Sequence, residues 1–317
     1  MRIQTSTSRV IALALVLGCA RGAAGQDAKA AEVLAGTRKA IGKKLETLTS
    51  LSVQAATQRN IGNFQMTSDL ELLVDLPDKY LRSESSNSAM VNMSSTMGFN
   101  GDRPVKGSPQ GGMAPGGMVI RMGGPGVAMN GGGEKPTPEQ QQQMDKQMVR
   151  SARQEISRLM LGWFGMTHPS LSVQYIYAGE AESPEGKAFI VDARNEDGFA
   201  ARLFIDEKTH LPLMVRYQGP QPRIVTAGGP RGAIPPPTRE EQTRLDANAK
   251  SQVEEMQKQP PVMVEYALYF DDWRDEDGIK FPHAFRRASG GTTTEEWTIS
   301  KVKVNPKIDP KKFETEH

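Results

Sequence analysis

The chain has 317 residues, 39 Lys and Arg against 37 Asp and Glu, 37% hydrophobic residues and one cysteine. So even a charge balance gives no electrostatic case for nucleic acid. A lone cysteine excludes an intrachain disulfide, so stability has to come from an ordinary core.

Residues 1–25 carry Arg2 and Arg9, an apolar run over 10–20, no acid, and the small segment Gly22-Ala23-Ala24-Gly25. That charged, apolar, small order predicts a secretory signal cleaved after Gly25. The alternative is Val16-Leu17-Gly18-Cys19, which approximates a lipobox in which Cys19 is lipidated and anchors the chain to the envelope. The apolar run is about half of the roughly 20 residues that span a bilayer, so a transmembrane protein is not expected. Losing 1–25 leaves 36 basic against 37 acidic residues over 26–317.

A helix is expected over 29–48, with Val33, Leu34, Ile41 and Leu45 at helical spacing. Strands with a period of two follow. In the clearest, Phe64, Met66, Leu70, Leu72, Val74 and Leu76 share one parity and Gln65, Thr67, Asp69, Glu71 and Asp75 the other. Similar alternation occurs at 51–55, 91–93, 173–177, 199–205, 213–217, 264–270, 279–281 and 302–304. Asn100-Gly101, Asp197-Gly198 and Asp277-Gly278 are turn pairs that tolerate positive φ. Residues 104–136, dominated by Gly, Pro and Met, read as a mobile insertion. Residues 219–261, proline-rich at both ends around a polar segment at 238–258 that suits a solvated helix, read as a second. A longer helix is expected over 137–164, opening on Thr-Pro-Glu, with Met144, Met148, Ala152, Ile156, Leu159, Met160 and Trp163 on one face. These elements predict a mainly β domain over 26–317. Its single curved antiparallel sheet forms an unclosed β-barrel capped by amphipathic helices.

Several segments carry a resemblance. They are Leu48-Thr49-Ser50-Leu51-Ser52-Val53 after the first helix, the strand and turn 68–82 with Asp75-Leu76-Pro77-Asp78, and the hairpin Phe99-Asn100-Gly101-Asp102-Arg103. Later come the segments 203–213 and 270–282, then the ending Asn305-Pro306-Lys307-Ile308-Asp309-Pro310. In this order they resemble the periplasmic outer-membrane lipoprotein carrier superfamily, the LolA/LolB-like proteins, and especially their larger bacterial relatives. The resemblance implies an open barrel with a helical lid over an apolar cavity that accepts acyl chains. The dedicated carrier has an arginine directly before the proline of its early turn. This chain has Leu76 there, so that contribution is absent.

On this reading Phe64, Met66, Leu70, Leu72 and Val74 line the cavity, and Met148, Ile156, Met160 and Trp163 form the lid. Ordinary core under a helix explains the same residues equally well. Eleven of the 16 methionines lie between Met90 and Met166. A Cu(I) site among Met113, Met118, Met122 and Met129 lacks regular spacing or a nearby cysteine. Asp271, Asp272, Asp275 and Asp277 do not fit a calcium loop, because Trp273 falls at the first ligand position and Ala284 at the closing one. His168, His210, His283 and His317 are isolated and read as strand-end or surface residues. With no nucleophile elbow, P-loop or dinucleotide fingerprint, no enzyme activity, cofactor or metal is expected. The expected ligands are acyl chains of a lipid or lipoprotein, with peripheral membrane contact. The competing expectation is a regulatory or scaffold module that grips an envelope protein at a sheet edge.

Overall fold

The computed structural model describes residues 23–61, 64–88, 91–107, 111–112, 119–123, 137–184, 186–221, 223–227 and 259–314, with scattered positions between 238 and 251. Of the segment 1–25 expected to be a secretory signal, residues 1–22, Cys19 included, lie outside these residues. So do Met90, Met113, Met118 and Met129.

The described residues form fifteen strands, many of them with alternating apolar residues. In chain order these are β1 (Ser50–Ile61), β2 (Phe64–Asp75), β3 (Lys79–Ser88), β4 (Val91–Asn100), β5 (Arg103–Lys106), β6 (Gly111–Gly112) and β7 (Val119–Gly123). Next come β8 (Gln174–Ser183), β9 (Gly186–Arg194), β10 (Ala200–Asp206), β11 (Pro212–Pro220) and β12 (Arg223–Ala227). The last three are β13 (Met263–Glu276), β14 (Ile279–Ser289) and β15 (Thr292–Val304). One antiparallel sheet runs β5-β4-β3-β2-β1-β15-β14-β13-β11-β10-β9-β8, with β6 added on β4. Its end strands do not pair with each other, so the barrel is open. The first and last strands are neighbours in the middle, with Val53 opposite Val302 and Arg59 opposite Glu295.

This order fixes the path of the long helix. With β5 and β6 the chain has built one end of the sheet; after β7, which belongs to a separate two-stranded sheet with β12, it resumes at β8, the opposite edge. The link is α2 (Pro138–Phe164), 27 residues long, or about 40 Å of helix. It lies against β3, β4 and β5 on one side and β10, β11 and β13 on the other. Thr137 caps it reciprocally with Gln140, as its sequence signature predicts. Gly165, left-handed at φ 63°, stops it by donating to Leu161 O, the usual C-terminal device. The earlier helix α1 (Ala23–Ile41) buries Ala30, Val33, Leu34, Thr37 and Ile41, a stripe at helical spacing.

Both helices pack on the concave face in one core. The sheet contributes Val53, Leu70, Leu72, Val191, Leu203, Val215, Phe270 and Phe281, and α2 contributes Ile156, Met160, Trp163 and Phe164. A small second cluster on the convex side joins Leu73, Leu81 and Val105 to Phe313. The chain end is held by Asn305, whose Oδ1 accepts from Thr49 N at 2.8 Å and whose Nδ2 donates to Thr47 O at 3.0 Å.

Several expectations change. The first helix stops at Ile41 and continues as a 3-10 turn over Lys43–Thr47 that buries Leu45. The insertion at 104–136 is not wholly loop: it contains most of β5, all of β6, and β7, which pairs with β12 of the other insertion. The described positions from 240 to 251 are helical, in line with the helix that the polar segment 238–258 suits. β3 and β9 were not expected. His168 and His283 are buried; burial first, then the Arg153 charge, lowers the pKa of His168 to about 4, and it packs edge-on against Phe99.

The helix and sheet approach most closely at Gly162, where an added Cβ would sit 2.0 Å from Phe270 Cζ. Gly162→Ala is therefore expected to cost about 1–3 kcal/mol through overpacking. Urea titration should show a lower midpoint at unchanged slope, and wild-type stability would contradict this contact.

Candidate functional site

The concave face changes character along its strands. At one end the directly opposed rows are apolar: Val74 beside Leu51, and Leu72 beside Val53, which faces Val302. Toward the other end the same inward parity reaches Thr57 and Arg59 on β1, Glu84 on β3, Arg287 on β14 and Glu295 on β15. Arg59 and Arg287 stand opposite Glu295 on its two sides, the cross-strand placement in which opposite charges attract.

These residues form a buried ion cluster. Glu295, 2% exposed, accepts from Arg59 Nε at 3.0 Å and Nη2 at 2.9 Å and from Arg82 Nη2 at 3.0 Å. Its second oxygen is 2.9 Å from Arg287 Nη1. Glu84 accepts from Arg59 Nη2, from Arg82 Nε at 2.8 Å and from Arg82 Nη2. The Arg82 guanidinium also lies 5.1 Å from the Trp297 ring centre, an attractive cation–π position. From α2, Glu155 reaches Arg82 Nη1 at 2.5 Å and faces Arg287 Nη2 at 3.9 Å. The helix that covers the apolar end is thus tied by one carboxylate to two arginines of the sheet.

The electrostatics follow from burial in company. Burial pushes the Glu295 carboxyl up, but Arg287, Arg82 and Arg59 outweigh it and hold the group well below the usual carboxylate range. Burial lowers the Arg82 pKa, but Glu155, Glu84 and Glu295 outweigh it and raise it well above the ordinary value. Tyr80 is fully buried beside the cluster; burial, then the Glu155 charge, raises its pKa well above the ordinary value. Its hydroxyl has no hydrogen-bond partner among the described residues.

Of the residues the sequence nominates, Leu70, Leu72, Val74, Ile156, Met160 and Trp163 are brought together in the core. Met66 and Met148 are half-buried, Cys19 is outside the described residues, and nothing is described of the Phe64 side chain. Arg59, Arg82, Glu84, Glu155, Arg158, Arg287 and Glu295 were missed. The available signal was a charge at an apolar parity position: Arg59 continues Leu51-Val53-Ala55, and Glu295 precedes Trp297 and Ile299. On α2, Glu155 and Arg158 flank Ile156 and Leu159. Chemically the site joins a hydrocarbon surface to a cluster of guanidinium donors. Among the described residues no side-chain group suits a metal ion, and no helix is long and apolar enough to cross a membrane.

No protein-family model and no curated protein matches the chain. Among solved structures, it is similar to a LolA superfamily protein from Nitrosomonas europaea at TM-score 0.47 and 7% identity, over 90% of this chain and 97% of that one. It is also similar to a DUF1329 family protein from Desulfovibrio piger at TM-score 0.43 and 9% identity, over 91% of this chain and 97% of the other. A Vibrio parahaemolyticus domain described as outer-membrane lipoprotein-sorting gives TM-score 0.42 and 8% identity, over 92% and 97%.

Removing one charge from a buried cluster strands its partners, so Glu295→Gln is expected to cost about 3–5 kcal/mol at neutral pH. Glu295 is depressed in the folded state. Its contribution is therefore present above the unfolded carboxyl pKa of about 4.3 and is lost as pH falls further. Denaturant midpoints of wild type and variant should converge below that pH; a gap that is small at pH 7 or unchanged in acid contradicts the cluster.

Proposed function

We propose that the protein is an exported, non-enzymatic binding protein that holds acyl chains of a lipid or lipoprotein against the concave face of its sheet. The periplasm is the expected compartment, with attachment to the envelope if Cys19 is lipidated. One observation carries this reading: the apolar concave face is covered by helices of the same chain and not by paired strands. Lifting α2 uncovers core residues of the strands it packs on, among them Leu203, Val215 and Phe270, without breaking a single ladder hydrogen bond, and a hydrocarbon chain can then replace the contacts of Ile156, Met160 and Trp163. The sequence resemblance to the lipoprotein carriers supports the same ligand class.

The energetics are adequate. Burying ten methylenes is favourable by roughly 8 kcal/mol, which offsets the loss of helix contacts and the separation of Glu155 from Arg82. An unbranched thioether such as Met160 repacks more readily around a chain of variable length than a branched residue does.

Protein purified from bacterial cells without detergent, extracted with organic solvent and examined by mass spectrometry, is expected to yield co-purified acyl species. A protein that is empty and also fails to bind a fluorescent fatty acid contradicts the proposal.

A further inference from the structure

The ion cluster contains one positive charge too many. Arg59, Arg82 and Arg287 are answered by Glu84, Glu155 and Glu295. Arg158, three residues after Glu155 on α2, brings a fourth guanidinium to the same side, and among the described residues it has no carboxylate partner. Its Nη2 donates to the neutral Gln154 Oε1 at 3.2 Å. Its guanidinium carbon lies 4.1 Å from the Tyr217 ring centre and 5.4 Å from that of Phe199. Its Nε has no hydrogen-bond partner, and neither do Arg287 Nε and the Tyr80 hydroxyl. Burial, aided by the Arg287 charge and opposed by Tyr217 and Glu155, lowers the Arg158 pKa, the response of a cation removed from water with too little negative charge beside it. A guanidinium lying flat on an aromatic ring still presents its edge donors to a carboxylate or phosphate.

We propose that Arg158, with the unanswered Nε of the neighbouring Arg287, binds the anionic head of an acyl ligand, a carboxylate or a phosphate. This rests on the acyl-binding reading and narrows it. The concave face is itself amphipathic along its strands, from the Val74, Leu51 and Leu72 rows to the Arg59, Glu295 and Arg287 row. A tail on the first and a charged head on the second match that gradient, whereas a neutral acyl chain leaves Arg158 unanswered. Arg158 lies on α2 three residues from Glu155, and an incoming anion answers the one guanidinium of the cluster that no carboxylate pairs among the described residues, which completes the charge balance.

The test compares sodium oleate and oleyl phosphate with oleyl alcohol by displacement of a fluorescent fatty acid, in wild type and in Arg158→Gln. A charge-assisted hydrogen bond predicts that an anionic amphiphile binds wild type at least about 10-fold more tightly than the alcohol. In Arg158→Gln that ratio should fall to about one. Equal wild-type affinities, or a preference that survives the substitution, overturn the anion site while leaving acyl binding intact. Failure of all three amphiphiles to bind overturns both. The wild-type comparison decides even if the variant does not fold. Acetate and inorganic phosphate should bind far more weakly than the amphiphiles; comparable affinity assigns Arg158 to a free anion and overturns the lipid assignment.

Discussion

A sheet whose strands end at two free edges must have its apolar face covered by something other than another strand. Here the chain order supplies the cover. β1 to β6 build one end of the sheet, β8 opens the other, and the link between them has to cross the concavity. A helix is the economical way to cross, because it satisfies its own backbone while presenting a stripe of side chains. α2 therefore buries Ile156, Met160, Trp163 and Phe164 against rows from both ends of the sheet. The position of every other concave residue is understood relative to it.

The cover is held in two ways that respond to different conditions. Apolar packing acts along its C-terminal half, with Gly162 allowing Phe270 to approach its backbone. Glu155 acts at the polar end, where the arginines of β3 and β14 meet it. A buried ion pair is a weak source of net stability because desolvation cancels most of its attraction, but it is selective about geometry. The cluster thus fixes where α2 sits more than how tightly it sits.

Much of the fold was readable from the sequence, and the unread parts share a cause. β2 was legible because its inward parity carries Met66, Leu70, Leu72 and Val74 around a single polar Ser68, and α2 because Thr137, Pro138 and Glu139 announce its start. β3 was not, since its inward residues are Tyr80, Arg82, Glu84 and Ser86, which erase the apolar period. Where strands were expected, the stretches left out were those that carry the ion cluster: β1 runs past Ala55 to include Arg59, β14 past Phe281 to include Arg287, and β15 begins early enough to include Glu295. A charge at an inward position looks, in one dimension, like the end of a strand, and only cross-strand pairing with Glu295 makes Arg59 an interior residue. Likewise nothing in the glycine-rich and proline-flanked insertions foretold that β7 and β12 pair, because strand partners distant in sequence leave no local pattern.

Native-state hydrogen exchange along α2 tests the central claim that this helix is a removable cover over a permanent sheet. Amides of residues 149–164 should exchange through a local opening that needs less free energy than global unfolding, while β1, β2 and β15 exchange only with the whole molecule. If α2 is protected to the same degree as those central strands, the helix is an inseparable part of the core and the concave face is never offered to a ligand.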